Sequence, residues 1–300
     1  MTIKSVITIG LFRGAKVLPL SLVRKIGRIV GRILIALDKR TNRVIKRNIE
    51  ICLSHLTKHQ QESLRKKRLA NMGQTLFEFA HVFLKSKESV CSLCNSLPDT
   101  HEFAKAMQSG NGTIVLVPHI GNWEVMNFYL SQFQQRTILY RPLRNPEIDK
   151  LFCKIREKLC TKLVPIDNTG VRQLMQALRR KEMVVMLPDQ VPNLSGGVYA
   201  PFFTEQALTM TLANRLAVKA DANVFIGVAY QTDKGFDVSI EPMQKAFYST
   251  DLSQSTAELN RHVEQLILRH PAQNQWEYKR FKFGPNFLER DLYSKQHLNL

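Results

Sequence analysis

"GTIVLVPHIGNWEVMNFYL" occupies residues 112–130. Its first half is a short apolar run rich in β-branched residues, the texture of a buried strand, and it stops at His119. Its second half takes on a helical pattern that runs on through Phe133. A strand handing over to a helix through a histidine, a glycine and an asparagine is the unit from which an α/β fold is wound.

The same alternation recurs downstream. "RTILYRP" (136–142) reads as a strand and "NPEIDKLFCKIREKL" (145–159) as a helix, with Pro146 in its first turn. "TKLVPID" (161–167), "GVRQLMQALRRK" (170–181) and "MVVMLPDQ" (183–190) repeat strand, helix, strand. A helix around 209–220, strands near 223–231 and 235–243 and a long helix at 254–270 complete the pattern. The expected fold is α/β, a mostly parallel or mixed central sheet flanked by helices. Ligands in such sheets bind outside the carboxyl ends of the strands. His119, Arg141 and Asp189 each follow directly on a strand candidate, so all three are expected at one edge.

Three hundred residues suffice for one large α/β domain, and a hydrophobic content of 44% with 23% charged residues is that of a globular core. The charge is unevenly spread. Of the net +18, residues 1–70 hold 17 Lys and Arg against Asp38, Glu50 and Glu62, a local +14, and the other 230 residues hold only +4. A localised basic surface seeks an anionic partner. The expected division is an amphipathic segment at 1–38, then one domain at 39–300 made of a helical lead-in (39–110) and a catalytic core (111–285).

No run of 18 uncharged apolar residues occurs, and Arg13 and Lys16 interrupt what would be the core of a cleaved leader. Within "LSLVRKIGRIVGRILIALDKR", Arg24, Arg28 and Arg32 stack at i, i+4 and i+8, with Leu22, Ile26, Ile29, Val30, Ile33, Leu34 and Leu37 on the other sides. Such a basic amphipathic helix suits the boundary between anionic headgroups and acyl chains; the other reading packs it on the domain with its basic face in water. Five cysteines, at 52, 91, 94, 153 and 160, lack the spacing of a secreted scaffold and are expected to be reduced. Cys91 and Cys94 have redox or zinc spacing, but no second pair completes a metal site, and neither metal nor cofactor is expected.

The chemistry centres on His119 and Glu124. A histidine at a strand end and a carboxylate in the first turn of the next helix are within reach of each other. The carboxylate would accept from one ring nitrogen and leave the other free to take a proton from a hydroxyl. Gly121 permits a tight turn between them, and the amides at the helix start could face a developing oxyanion. A first-turn carboxylate placed for the helix dipole, beside a loop histidine, is the plainer alternative. No G-x-S-x-G or H-E-x-x-H pattern supports a serine or metal hydrolase. No zinc-finger, RNP-like or glycine-clamp motif supports nucleic acid.

"VPHIGNWEV", "YRPLRNP", "LPDQ…GGVYAPFF" and "QWEYKRFKFGP", in this order, resemble the bacterial lipid A late acyltransferases of the wider lysophospholipid and glycerolipid acyltransferase superfamily. The likeness covers about residues 40–285. It implies a catalytic dyad of His119 and Glu124, with Arg141 and Asp189 in the substrate site; Gly121, Asn122 and Arg280 are read as further substrate-binding candidates. It also implies an acyl thioester donor, acyl carrier protein in preference to acyl-CoA, a lipid hydroxyl as acceptor, and a place on the cytoplasmic face of the bacterial inner membrane. In "WEYKRFKFGP", the basic residues Lys279, Arg280 and Lys282 interleave with aromatics, as a phosphate site or as a solvated edge strand. Tyr278 and Lys279 stand where the family commonly has histidine and arginine, and Gly284 where it has a basic residue.

Overall fold

The computed structural model describes residues 18–35, 37–142, 145–159, 161–285 and 292–293. The first 17 residues and Cys160 therefore lie outside the described residues. A helical lead-in comes first: α1 (Leu20–Val30), α2 (Lys39–Cys52), α3 (Lys58–Phe83) and the short α4 (Lys87–Cys91). Asp38 accepts from the amides of Arg40 and Thr41 to start α2, and Thr57 with Gln60 forms a capping box on α3.

The core then alternates as expected. Strand β1 (Cys94–Ser96) precedes α5 (Thr100–Gln108), β2 (Thr113–Leu116), α6 (Trp123–Leu130), β3 (Arg136–Tyr140), α7 (Pro146–Lys158), β4 (Thr161–Pro165), α8 (Asn168–Arg179) and β5 (Met183–Met186). After a two-stranded hairpin, β6 (Gly197–Phe202) and β7 (Glu205–Met210), come α9 (Leu212–Ala220), β8 (Asn223–Gln231), β9 (Phe236–Pro242) and α10 (Leu252–Arg269). The helix expected from residue 209 starts at Leu212, because Thr209 and Met210 belong to β7.

Seven strands form one sheet in the order β1-β9-β8-β2-β5-β3-β4, parallel throughout except that β8 and β9 are antiparallel. The mixed α/β architecture read from the sequence is thus the one observed. Alternate residues of the central strands serve two cores. Ile114, Leu116, Val184, Met186, Val224 and Ile226 pack on one face with α2, α8, α9 and α10. Val115, Val117, Met183, Val185 and Phe225 pack on the other with α6 and the ends of α3 and α5. Burial on both faces is why these strands read as unbroken apolar runs.

Strands β2 and β5 are neighbours, and Leu116 pairs with Met186 in register. Three residues past each partner come His119 and Asp189. Strand order and register alone therefore set the imidazole beside that carboxylate.

The amphipathic helix expected at the N-terminus is present as α1, but its faces are assigned otherwise. Arg24 is buried, while Leu22 and Ile29 point outward and, beyond the helix, Ile33 and Leu37 are exposed, Leu37 to 74%. Glycine decides how closely α1 lies on α3: a Cβ on Gly27 would stand 2.7 Å from the Gly73 carbonyl oxygen. No helix among the described residues is long and apolar enough to cross a membrane.

Candidate active site

His119 leaves β2 through Val117 and Pro118. Its backbone N–H donates to Asp189 Oδ2 at 2.8 Å, and its ring Nδ1 meets Asp189 Oδ1 at 2.8 Å. Both carboxylate oxygens are thus spent on one residue. Nδ1 carries the proton in this arrangement, and Nε2 keeps its lone pair on the opposite side of the ring. Burial raises the Asp189 pKa, but the attraction of the His119 ring when it carries a second proton and the two hydrogen bonds from His119 more than offset this, and the carboxyl ends below its ordinary value. The side chains of the pair are only 11% and 12% exposed, so solvent screens them little.

The histidine is held on its other sides too. Its carbonyl accepts from the Gln275 amide at 3.2 Å. Trp123, the first residue of α6, packs edge-on to the imidazole with 4.9 Å between ring centroids. Nε2 faces the amide nitrogen of Gln190 at 3.4 Å, and that amide also donates to Gln275 Oε1 at 3.2 Å. An acceptor hydroxyl approaching Nε2 must take the place of Gln190.

Glu124 is placed differently from the sequence expectation. It does lie in the first turn of α6, but its Oε1 accepts from Arg156 of α7 at 2.5 Å, with the two side chains 7% and 16% exposed. The partner that fixes the tautomer of His119 is Asp189, not Glu124. The reason is topological: the carboxylate brought into register by β5 already occupies Nδ1. Arg156 is in turn braced over the rings of Tyr140 (5.2 Å) and Phe152 (5.9 Å). Nothing in the local sequence singles it out, since an arginine in the last turn of a helix is ordinary dipole complementation.

The turn between histidine and glutamate is rigid. Gly121 has φ +63°, and any Cβ there would collide with the Ala229 carbonyl. Its N–H donates to the Gln273 carbonyl at 3.0 Å, and that of Asn122 to the Ala229 carbonyl at 2.9 Å. Asn122 caps α6, its Oδ1 accepting from the Val125 N–H, and its amide nitrogen donates to Glu78. The amides of Gly121, Asn122 and Val125 are therefore consumed by the fold and not turned toward a ligand. Gly121 and Asn122, expected in the substrate site, shape the turn.

Arg141 follows β3 at the same edge and is exposed, with its guanidinium available to an anionic group. Arg280 is not. It is 7% exposed and donates to the Leu208 carbonyl, to Thr209 Oγ1 at 2.9 Å and to Asn260 Oδ1 at 3.4 Å, and burial draws its pKa below the ordinary guanidinium value. This arginine ties the β6–β7 hairpin to α10. The "QWEYKRFKFGP" stretch is neither an edge strand nor an open basic face. It is a brace: Asn48 donates to the carbonyls of Trp276 and Tyr278 at 2.7 Å each, and the Tyr278 hydroxyl accepts from the Val191 N–H at 2.9 Å.

Cys91 and Cys94 are both spent on backbone carbonyls. Cys91 Sγ donates to the Phe128 carbonyl and Cys94 Sγ to that of Val90, and burial pushes the Cys94 pKa up to about 12. Among the described residues no group of three or more His, Cys, Asp or Glu is arranged to hold a metal ion.

An imidazole anchored at Nδ1 by a carboxylate and met at Nε2 by a side-chain amide is able to serve as a base, and comparison with known proteins identifies the class as acyltransferase. The bacterial lipid A biosynthesis acyltransferase family matches residues 2–283, and the chain belongs to it. A lipid A biosynthesis acyltransferase of Haemophilus influenzae is 27% identical over 233 residues, covering 76% of this chain and 72% of the relative. The lipid A biosynthesis palmitoleoyltransferase and lauroyltransferase of Escherichia coli K12 are each 24% identical over 272 residues, covering 89% of this chain and 87% and 88% of theirs. A phosphatidylinositol mannoside acyltransferase of Mycobacterium tuberculosis is 24% identical over 180 residues, 57% of this chain and 56% of that protein.

Proposed function

We propose that this protein transfers a fatty acyl group from an acyl thioester, carried by acyl carrier protein, to a hydroxyl of a lipid A precursor, with His119 as general base. The observation that supports the reading is the Asp189–His119 pair, which sets the ring proton on Nδ1 and leaves the lone pair on Nε2, beside Gln190. The acceptor O–H gives its proton to Nε2 as its oxygen attacks the thioester carbonyl. On collapse the C–S bond breaks, the new C–O bond remains, and the imidazolium returns the proton to the departing thiolate. A base so placed supplies roughly 10²–10⁴-fold in rate.

Glu124 acts in this scheme through Arg156. The carboxylate holds the guanidinium over the rings of Tyr140 and Phe152, and in this reading that fork supplies positive charge to the carbonyl oxygen as it turns into an oxyanion. Arg141, exposed at the same edge, offers a second cation to an anionic headgroup or carrier. The outward apolar residues of α1 and of the segment just after it, with Lys25 and Arg32 also exposed, fit a peripheral contact with the cytoplasmic face of an anionic inner membrane. The mycobacterial relative's name supports a second acceptor class, a glycolipid other than lipid A.

Mass spectrometry of lipids from cells lacking the protein tests acceptor and chain together. The expected result is lipid A short of one acyl group, and an unchanged lipid A with a change in another lipid refutes the acceptor. Purified protein offered acyl-carrier-protein and acyl-CoA thioesters in parallel tests the donor. Normal transfer by His119→Ala would refute the base.

A further inference from the structure

The most densely bonded side chain near the site is one that the scheme above does not use. Glu78 of α3 is fully buried and accepts four hydrogen bonds from four different residues. Oε1 receives Arg24 Nε at 2.5 Å and Gln74 Nε2 at 2.9 Å. Oε2 receives Asn122 Nδ2 at 3.0 Å and Gln231 Nε2 at 2.6 Å. A carboxylate accepts on both oxygens, whereas a carboxamide in its place would turn an NH₂ toward two of these four donors. A buried charge is retained when it is paired and fully bonded, and here Arg24 supplies the pair.

The donors define what the carboxylate connects. Asn122 is the cap of α6, three residues past His119 and next to Trp123. Gln231 ends β8 and exchanges two bonds with Gln273, its N–H to Oε1 at 2.8 Å and its carbonyl from Nε2 at 2.9 Å. The Gln273 carbonyl in turn holds the Gly121 N–H. Glu78 thus reaches the His119 turn by two routes. On its other side Arg24 belongs to α1, where it also donates to the Gly235 carbonyl at 2.9 Å and lies 5.0 Å over the Phe236 ring.

We propose that Glu78 is a positioning residue for acyl transfer, a buried carboxylate that fixes the turn carrying His119 and locks it to the N-terminal helix through Arg24. The inference rests on the reading of His119 as the base. Its consequence is that the helix proposed to meet the lipid surface is not a detachable anchor. It supplies the cation that keeps the carboxylate bonded to the catalytic turn.

The test exchanges two neighbouring positions on one face of α3, Glu78→Gln with Gln74→Glu. The net charge is kept, and a carboxylate stays beside Arg24 and Arg28. The carboxamide introduced at position 78, however, must present its NH₂ either to Asn122 and Gln231 or to the Arg24 side. A second variant, Asn122→Ser, keeps a helix cap but cannot span to Glu78. Each enzyme is assayed with an acyl thioester and with acceptor lipid extracted from cells lacking the protein. Each is also labelled with 5-fluorotryptophan, whose two ¹⁹F resonances report Trp123 in the turn and Trp276 outside it.

In both variants the expected result is a shifted Trp123 resonance and an unmoved Trp276 resonance. Turnover should fall by about tenfold or more, because small misplacements of a base cost this much. KM for the thioester should stay within about twofold. The triple variant should be no worse than the more impaired of the two, since both break one bond. Turnover within about twofold of wild type in either variant, or fully additive losses, overturns the proposal. Should the exchange variant fail to fold, Asn122→Ser decides the question by the same readings. The Trp123 resonance does not depend on activity, so failure of the base reading, seen as an active His119→Ala, is separable from failure of this one.

Discussion

Asp189→Asn is the substitution that most sharply tests the site. The carboxylate accepts two hydrogen bonds from His119, from the backbone N–H and from Nδ1, each at 2.8 Å. A carboxamide has one acceptor oxygen and one NH₂. If the oxygen keeps the backbone N–H, the NH₂ faces Nδ1, which must then become the acceptor, and the ring proton moves to Nε2. The base is thereby protonated on the nitrogen that should receive the substrate proton. Loss of general-base assistance is worth about 10²–10⁴ in kcat, or roughly 3–5.5 kcal/mol of barrier. The comparison substitution is Glu124→Gln, which weakens the contact to Arg156 and leaves the imidazole's tautomer untouched. Thiol release from an acyl thioester, followed continuously at saturating acceptor, measures both. The expected order is a far larger loss in kcat for Asp189→Asn than for Glu124→Gln, with Asp189→Asn still folded. An Asp189→Asn enzyme within about threefold of wild type, beside a Glu124→Gln enzyme that is inactive, would refute the reasoning and return the partner role to Glu124.

The same pair has a pH signature: the folded-state pKa of Asp189 lies below its unfolded value, so its stabilisation is complete above about pH 4 and fades as pH falls through the folded value. Urea midpoints of wild type and Asp189→Asn should therefore differ near neutrality and converge in acid. Gly121→Ala places a methyl on the Ala229 carbonyl at φ +63°, and calorimetry should show a loss of several degrees in Tm, about 2 kcal/mol or more. Arg156→Met leaves the Glu124 carboxylate buried without its cation, a loss of about 3–5 kcal/mol by denaturant titration, whereas Arg156→Lys should recover part of it. Replacing Leu22, Ile29 and Ile33 together by Ser should weaken sedimentation with anionic liposomes while thermal stability changes by less than about 1 kcal/mol, because these side chains already face outward.

The amino-acid sequence by itself determined the elements and the edge at which the site lies. Strands β2, β3, β5, β8 and β9 and helices α6, α7, α8 and α10 are each announced by local periodicity, because burial on one stripe or on both faces leaves a direct record in residue order. His119, Arg141 and Asp189 were legible as strand-end residues for the same reason. The β6–β7 hairpin left a weaker record: its strands surround a turn at Phe203 and Thr204 and sit outside the main sheet, so no long apolar run marks them.

Tertiary structure alone decided who pairs with whom. Glu124, five residues from His119, was the near candidate for the imidazole, yet Asp189, seventy residues away, holds it, because β2 and β5 are adjacent and in register. Arg24 shares an i, i+4 row with Arg28 and Arg32 and reads as part of a solvated basic stripe, yet it is buried against Glu78. Arg280 reads as a phosphate contact and is an internal tie of the hairpin. Periodicity records which side of an element is covered, summed over many residues. A single ion pair is set by the packing of elements distant in sequence, and no local spacing encodes it.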